Sequence, residues 1–218
     1  MSRTLEPSLL MSFAFPHRLY PIIDTLGDPK LSHVSLAQTM LDAGVRFLQL
    51  RIKDQPARRF VEIARRVKAV TDRYSAQLII NDRTDIARLL DAAGVHLGQE
   101  DLPVNAAREI LGPNKIIGFS THSSAQAEAA ARQGIADYIG FGPIYPTVSK
   151  ERTDPVQGLE GLRLIRSRVG LPIVAIGGIT AETMPDVLAA GADAVAMIGD
   201  IVRAGDVGAK IRALLGGC

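Results

Sequence analysis

A short polar segment, QLRIK from Gln49 to Lys53, places an arginine and a lysine at the end of an apolar stretch. If this stretch is a β-strand, alternation puts Gln49, Arg51 and Lys53 on one side and Leu50 and Ile52 on the other. Arginine binds phosphate through a planar fork and lysine as a point charge, so the two cations could bind a polyphosphate. The alternative is an edge strand with scattered charges, which a closed parallel barrel does not have.

Two later apolar stretches end in carboxylates. Asp82 follows one of them, directly after Asn81, and Asp101 closes the segment QED after the next. Neighbouring strands lie about 5 Å apart, so Asp82 and Asp101 could share a divalent cation. Magnesium is favoured over zinc, because the sequence has neither a cysteine cluster nor a spaced histidine pair. The alternatives are a helix N-cap for Asp82 and a turn residue before Pro103 for Asp101.

The segment Gly142 to Lys150, GPIYPTVSK, ends another apolar stretch in a turn rich in hydroxyl groups. Its two prolines are expected to interrupt regular strand pairing and to stiffen the exit. Thr147, Ser149 and Lys150 would then lie on a loop that could hold phosphate. The alternative is an ordinary solvated loop, since these residue types are common in loops.

Further polar groups follow other predicted strands. Ser120, Thr121 and His122 end the fifth, and His122 is kept outside the core site because a lone histidine is more often structural than catalytic. Glycines follow the seventh and eighth, in Ile176–Thr180 and Met197–Asp200, where bare backbone amides could bind phosphate. The sequence indicates no special role for the remaining histidines, which are His17, His33 and His96.

These segments need strands to position them, and the apolar pattern predicts eight. Helix-length segments lie between them; Phe60 to Val70 has helical spacing, and Ser123 with Gln126 resembles a capping box. Eight strands alternating with helices favour a single (β/α)8 TIM barrel over a doubly wound open sheet, and the carboxyl ends of its strands carry the chemistry. The predicted strands are Leu19–Asp24, Phe47–Ile52, Gln77–Asn81, Gly94–Gly98, Lys115–Ser120, Tyr138–Pro143, Pro172–Ile176 and Ala194–Ile198.

Composition is consistent with this architecture. The chain has 218 residues, of which 47% are hydrophobic, and a net charge of +2. Interleaved charges give no reason to expect nucleic acid as a partner. Cys218, the single cysteine, fits a reducing cytoplasm, and no stretch is long enough to span a membrane. We expect residues 1–15 to form a tail, possibly disordered, and residues 16–218 to form the barrel domain.

In their order along the chain, these motifs resemble the thiamine phosphate synthase family, from about Leu19 to the eighth predicted strand. The resemblance implies that 4-amino-2-methyl-5-pyrimidinylmethyl diphosphate is joined to a thiazole phosphate and that pyrophosphate is released. It also implies one Mg²⁺ ion per subunit, phosphorylated small molecules as partners and, as an open question, a homo-oligomer. The motifs are QLRIK, Asn81-Asp82, Gln99-Glu100-Asp101, Ser120, GPIYPTVSK and IGGI from Ile176 to Ile179.

The resemblance also assigns roles to positions in this sequence. Catalytic roles fall to Arg51, Lys53, Ser120 and Lys150, and magnesium ligation to Asp82 and Asp101. Contacts to the pyrimidine diphosphate fall to Gln49, Leu50, Arg51, Ile52, Lys53, Asn81, Ser120 and Lys150. Contacts to the thiazole phosphate fall to Thr147, Val148, Ser149, Gly178, Ile198 and Gly199.

Two positions depart from the family pattern. Ile52 stands where an acidic residue is usual, and Gly199 stands where a serine is usual, so a hydroxyl contact to the thiazole phosphate is missing. The alternatives are a thiazole tautomerase, for which His122 would be meaningful, and a non-catalytic phosphate-binding barrel. We also expect the loop from Thr147 to Gln157 to close over bound substrate.

Overall fold

The structure is a computed structural model that describes residues 13–26, 28, 30–53, 55–147 and 154–217. Within these residues, strands and helices alternate along the chain. The strands are β1 (Leu19–Ile23), β2 (Phe47–Leu50), β3 (Gln77–Asn81), β4 (Gly94–Leu97), β5 (Ile116–Thr121), β6 (Tyr138–Phe141), β7 (Ile173–Ala175) and β8 (Ala194–Met197). The helices are α1 (His33–Asp42), α2 (Ala57–Arg73), α3 (Thr84–Leu89), α4 (Val104–Leu111), α5 (Ser124–Gln133), α6 (Gly158–Arg166), α7 (Met184–Ala189), α8 (Gly199–Val202) and α9 (Val207–Gly216).

The strands form a closed parallel barrel. Each strand pairs with the next in chain order, and β8 pairs with β1 through the register Tyr20 opposite Ala196. The predicted (β/α)8 TIM barrel is therefore confirmed. Because all strands run in the same direction, their carboxyl ends meet at one rim, where the polar segments after β2, β3, β4 and β5 come together.

The helices cover the barrel with amphipathic faces. In α2, the predicted helical spacing is confirmed: Phe60, Ala64 and Val67 are buried against the strands, while Arg65 and Arg66 are exposed. The helix extends three residues beyond the predicted range at both ends, where the mostly polar sequence gives no apolar period to mark the helix. Packing of such faces on the strands produces the larger of two apolar clusters.

The second apolar cluster fills the barrel interior. It contains Tyr20, Phe47 and Tyr138 together with small aliphatic residues from β3, β7 and β8. Phe13 and Phe15 belong to the part of the predicted tail that the structure describes. They pack on these rings at the end of the barrel opposite the carboxyl ends of the strands. Residues 1–12 of that tail lie outside the described residues. No helix in the described ranges is long and apolar enough to cross a membrane.

Helix ends also follow the sequence. The Ser123 side chain accepts a hydrogen bond from the backbone N–H of Gln126 at 3.3 Å, so this residue caps α5 as predicted. The reciprocal bond differs from a capping box, because the Gln126 side-chain oxygen accepts from His122, one residue earlier, at 2.6 Å. The cap thereby also holds the backbone of His122, directly after β5.

Candidate active site

Arg51 emerges at the end of β2 and forms an ion pair with Asp24, which follows β1. Asp24 is buried, and its second oxygen accepts a hydrogen bond from the backbone N–H of Leu26 at 2.7 Å. A carboxylate that is itself fixed in this way orients the guanidinium and leaves several of its N–H donors for an anion. Sequence reasoning assigned no role to Asp24, although it follows an apolar strand as Asp82 and Asp101 do.

Lys53 reaches in the other direction, towards the end of β3. Its ammonium group lies 2.5 Å from a carboxylate oxygen of Asp82, with the two side chains 48% and 23% exposed. The alternative role of Asp82 as a helix N-cap is wrong, because Arg83 occupies that position at the start of α3. Asp82 instead adopts a left-handed backbone conformation with φ of 63°, which aspartate tolerates better than most residues.

Asp82 and Asp101 interact with each other across β3 and β4. Burial raises the pKa of the Asp101 carboxyl, and the neighbouring Asp82 charge adds to that rise, while the Gly98 backbone N–H opposes it. This N–H donates to Asp101 at 2.7 Å, so Asp101 is also the turn residue that the sequence allowed. Two adjacent carboxylates repel each other unless a proton or a cation lies between them. The pair is therefore suited to hold a divalent cation.

The predicted alternation along QLRIK is confirmed. Gln49 is buried inside the barrel, where its amide nitrogen donates to the Tyr20 hydroxyl at 3.0 Å. Leu50 and Ile52 point the other way and are buried in the cluster between strands and helices. Only their backbone atoms face the rim, so an acidic residue at position 52 would not lie beside Arg51. Asn81 is partly buried at the end of β3, opposite His96 of β4.

Ser120 lies near the end of β5, with its side chain turned into the barrel. Its hydroxyl is 2.8 Å from Nε2 of His96, and its carbonyl accepts a hydrogen bond from the Gln99 side chain at 2.5 Å. The neighbouring His122 has a structural contact: its Nδ1 is 2.7 Å from the carbonyl oxygen of Gly142, which can only accept. His122 thus carries its proton on Nδ1 when neutral and ties β5 to the loop after β6.

Regular pairing of β6 with β7 ends at Phe141, before the two prolines, as expected. Two further backbone hydrogen bonds join the segment after β6 to the chain after β7. Ile144 donates to the carbonyl of Ile176 at 2.9 Å, and Tyr145 donates to the carbonyl of Gly177 at 3.1 Å. These two contacts form because both donors are non-proline residues that face the chain after β7. Thr147 is described, whereas Val148, Ser149 and Lys150 lie outside the described residues, as does most of the predicted closing loop.

Gly178 lies where the chains after β6 and β7 meet. Its φ of 67° is left-handed, and a Cβ atom there would stand 2.5 Å from the carbonyl oxygen of Pro146 and 2.8 Å from Cβ of Tyr145. Both constraints require glycine. The close approach also brings the backbone of Gly178 beside the segment that leads into Thr147, as expected for two parts of one site.

The chain after β8 is tied to the chain after β7. A carboxylate oxygen of Asp200 in α8 accepts from the backbone N–H of Ala181 at 2.9 Å, and Lys210 neutralises the same oxygen at 2.9 Å. These contacts hold Gly199, the first residue of α8, near the segment that carries Gly178. A Cβ at Gly199 would meet only the guanidinium of Arg203, at 3.7 Å.

The rim therefore contains two neighbouring sets of groups. Charged side chains gather at the ends of β1 to β4, and glycines with backbone amides gather at the ends of β6 to β8. The first set can neutralise a multiply charged anion, and the second can approach a phosphate closely. Sequence reasoning missed Asp24 in the first set and gave no role to His96, which contacts Ser120 from within the barrel.

The chain is similar to known proteins over most of its length. Residues 19–201 match the family described as thiamine monophosphate synthase. A thiamine-phosphate synthase of Pelotomaculum thermopropionicum is 45% identical over 184 residues, which cover 84% of each chain. One from Moorella thermoacetica is 44% identical over 196 residues, 90% of this chain and 93% of its own.

A solved structure is similar over most of the chain. Thiamine phosphate pyrophosphorylase from Pyrococcus furiosus superimposes with a TM-score of 0.80 at 39% identity, covering 90% of this chain and 93% of that one. The family match, residues 19–201, includes every strand of the barrel. The chain therefore belongs to the thiamine monophosphate synthase family and is a transferase of thiamine biosynthesis.

Proposed function

We propose that this enzyme joins 4-amino-2-methyl-5-pyrimidinylmethyl diphosphate to a thiazole phosphate, either 4-methyl-5-(2-phosphoethyl)thiazole or its carboxylate. The bond between the methylene carbon and the diphosphate oxygen breaks, and its electron pair leaves with pyrophosphate. The thiazole nitrogen then uses its lone pair to form the new C–N bond. Atoms and charge balance without a protein nucleophile; the carboxylate form of the thiazole would in addition lose CO2 and take up one proton at the same carbon.

The residues at the ends of β2 and β3 would bind the diphosphate. Arg51 is oriented by Asp24, and Lys53 lies 2.5 Å from Asp82, so the two cations reach the rim from one strand end. Negative charge grows on the leaving oxygen as the C–O bond breaks. Fixed cations stabilise that charge more in the transition state than in the substrate, which raises the rate. Lys150 would add a third cation.

The glycine side of the rim would hold the second substrate. Thr147, Val148, Ser149 and Gly178, with Ile198 and Gly199, would bind the thiazole phosphate through hydroxyls and backbone amides. Gly178 lies against the segment before Thr147, so these contacts would converge on a single phosphate. Holding the thiazole nitrogen next to the methylene carbon favours its attack over attack by water.

Asp82 and Asp101 would hold a magnesium ion. Carboxylates beside substrate phosphates are the usual protein ligands of this ion. Burial raises the pKa of Asp101, and the Asp82 charge adds to that rise, so a cation would relieve the repulsion between the two carboxylates. When bound, magnesium would neutralise charge on the diphosphate. Binding would release Lys53 from Asp82, leaving its ammonium group to contact the diphosphate.

The observation that carries the proposal is the ion-paired rim of β1 to β3 in a chain of this family. A direct test incubates the protein with both substrates and magnesium and follows thiamine phosphate by chromatography. We expect product and pyrophosphate in equal amounts. Their absence, with both substrates recovered intact, would refute the proposal.

A matched pair of lysine variants tests the site. Lys53→Ala is expected to lower turnover by roughly 100-fold, the usual effect of losing one charge-stabilising group. Lys115→Ala is the control, because Lys115 also lies 2.5 Å from an aspartate, Asp91, but away from the rim. Equal activity in the two variants would refute the role of Lys53.

The same assay separates the alternative functions. A thiazole tautomerase would interconvert thiazole phosphate isomers without consuming the pyrimidine diphosphate. A non-catalytic barrel would bind phosphorylated ligands and form no product. Both outcomes differ from stoichiometric release of pyrophosphate.

A further inference from the structure

A chain of hydrogen bonds crosses the barrel interior and links two groups of the proposed pyrimidine site. Gln49 donates from its amide nitrogen to the Tyr20 hydroxyl at 3.0 Å, and the Tyr20 and Tyr138 hydroxyls are 2.9 Å apart. The Tyr138 hydroxyl lies 3.0 Å from Nδ1 of His96, whose Nε2 lies 2.8 Å from the Ser120 hydroxyl. We refer to Tyr20, Tyr138 and His96 as the relay.

The direction of each bond follows from the first. The Gln49 amide nitrogen can only donate, so the Tyr20 hydroxyl accepts from it. The buried Tyr20 hydrogen also needs an acceptor, and the Tyr138 oxygen at 2.9 Å supplies it. The Tyr138 hydroxyl then donates to Nδ1 of His96, which must be unprotonated. Neutral His96 therefore carries its hydrogen on Nε2 and donates it to Ser120.

Both ends of the relay are thereby given a definite polarity. Gln49 uses its nitrogen inside the barrel and keeps its carbonyl oxygen, an acceptor, for a ligand. Ser120 accepts from His96 and keeps its hydroxyl hydrogen, a donor, for a ligand. An aminopyrimidine presents the complementary pair, because its exocyclic amine donates and its ring nitrogen accepts.

The surroundings keep the relay in this form. Burial raises the pKa of Tyr20 above its ordinary value and raises that of Tyr138 well above it, so both phenols remain protonated. The Phe47 ring centre lies 4.9 Å from that of Tyr20, and the Phe13 ring stacks at 5.5 Å on Tyr138. In such apolar surroundings, an unpaired hydroxyl or amide is costly, which disfavours any break in the relay.

Gly118 leaves the space in which the relay passes between strands. A Cβ atom there would lie 2.1 Å from Cζ of Tyr138, 2.4 Å from its hydroxyl and 2.5 Å from Nδ1 of His96. Any larger residue would separate Tyr138 from His96. The glycine is thus required by the contact that sets which nitrogen of His96 carries the hydrogen.

We propose that Tyr20, Tyr138 and His96 are positioning residues that select the amino form of the pyrimidine by fixing Gln49 as an acceptor and Ser120 as a donor. This inference rests on the proposed function. A 4-oxopyrimidine has the opposite polarity, with a carbonyl acceptor and a ring N–H donor. Gln49 and Ser120 therefore both form hydrogen bonds with the aminopyrimidine. With the 4-oxopyrimidine, acceptor faces acceptor at Gln49 and donor faces donor at Ser120.

The test measures the affinities of two unreactive ligands, the 2-methyl-5-pyrimidinylmethyl phosphates that carry a 4-amino or a 4-oxo group. Titration calorimetry on the whole enzyme gives the ratio of their dissociation constants. Tyr138→Phe and Tyr20→Phe each remove one relay hydroxyl and keep the ring. We expect the wild-type preference for the amino ligand to fall by roughly tenfold or more in both variants. Without the relay hydroxyl, Gln49 and Ser120 can reorient to form hydrogen bonds with the oxo ligand.

Tyr74→Phe is the matched control, since it removes a phenol that bonds to Gln38 and Asp42 outside the barrel. Its affinity ratio should equal that of the wild type. A merely structural role for the relay would weaken both ligands alike and leave the ratio unchanged, so an unchanged ratio in either folded variant overturns the inference. If the wild-type enzyme binds neither ligand, the proposed function itself fails.

Discussion

At the ends of β1 to β4, charged side chains pair across the rim, whereas at the ends of β6 to β8 the chain presents glycines and backbone amides. Arg51 and Lys53 each contact a carboxylate, Asp24 and Asp82. On the other side, Gly178 adopts a left-handed conformation and packs directly on the neighbouring loop. We call these two regions the ionic side and the glycine side.

The difference indicates two ways of binding an anion. The ionic side supplies full charges, which suit a leaving group whose charge increases during the reaction. The glycine side supplies close contact and fixed dipoles, which suit a phosphate that remains unchanged. Loss of a charged group should therefore alter turnover of the pyrimidine substrate, and an added Cβ should alter binding of the thiazole phosphate.

The largest expected effect is on the ionic side. Arg51→Met keeps an unbranched apolar stem and removes the guanidinium and its charge, so we expect kcat/KM for the pyrimidine diphosphate to fall by roughly 100- to 1000-fold. The KM for the thiazole phosphate should remain near the wild-type value. Steady-state kinetics with each substrate varied in turn measures both quantities.

Stability must be separated from catalysis in this variant. Without Arg51, the buried Asp24 carboxylate loses its partner, at an expected cost of roughly 1–3 kcal/mol. The double variant Arg51→Met with Asp24→Asn should recover most of that stability in a denaturant titration but none of the activity. Recovery of activity along with stability would contradict a direct role for Arg51.

On the glycine side, Gly178→Ala should raise the KM for the thiazole phosphate by roughly tenfold or more. A left-handed alanine costs about 1–2 kcal/mol, and its Cβ would collide with Pro146 and Tyr145. The KM for the pyrimidine diphosphate should change little. Gly170→Ala is the control, because nothing lies within 4 Å of a Cβ there. Equal changes in the KM values for the thiazole phosphate and the pyrimidine diphosphate would contradict the assignment of the two substrates to different sides.

A smaller effect concerns the carboxylate pair. Because the pKa of Asp101 is raised from 3.8, its ionised form destabilises the folded enzyme at higher pH, and this cost disappears as the pH falls through the raised pKa. Asp101→Asn should therefore raise the Tm at neutral pH without magnesium by about 1–3 °C, since the carboxyl is partly exposed. The gain should vanish as the pH falls towards 4.

The control for this prediction is Asp91, whose pKa is shifted in the opposite direction. Lys115 lowers the pKa of Asp91, so the ionised carboxylate stabilises the fold above its unfolded pKa of 3.8, and this is lost as the pH falls. Asp91→Asn should not raise the Tm at neutral pH. Scanning calorimetry across pH 4 to 8 compares the variants, and a rise in both would refute the burial of Asp101 beside Asp82 as the cause.

The barrel could be predicted from the sequence because apolar stretches and helical periods alternate along the whole chain. Strand ends were harder to locate. β2 was expected to reach Ile52, since an apolar residue alternates with Arg51 and Lys53, but the strand ends at Leu50. Beyond Leu50, side chains still alternate between the rim and the layer of helices, although the backbone is no longer paired as a strand. The local sequence pattern is the same in both cases, so it does not show where pairing ends.

Most of the ionic side was visible in the sequence, because charged residues directly after apolar strands are unusual enough to notice, but Asp24 was missed. The relay was not. Tyr20 and Tyr138 are 118 residues apart, and Tyr138 and His96 are 42 apart, so they meet only when the barrel closes. An isolated tyrosine in an apolar stretch looks like core, and its hydrogen-bond partners depend on strand register, which local periodicity does not determine.

The smallest expected effect would sharpen the comparison by adding a side-chain contact to the glycine side. In Gly199→Ser, the new Cβ would meet only the Arg203 guanidinium at 3.7 Å, so the side chain fits without strain. Its hydroxyl could donate to the thiazole phosphate, and we expect the KM for that substrate to fall by about threefold, as for one added hydrogen bond. Gly205→Ser, at a position with nothing within 4 Å, should leave it unchanged. An unchanged KM in both would mean that the backbone amides alone determine affinity at this phosphate, and that the serine usual in the family adds nothing to binding in this chain.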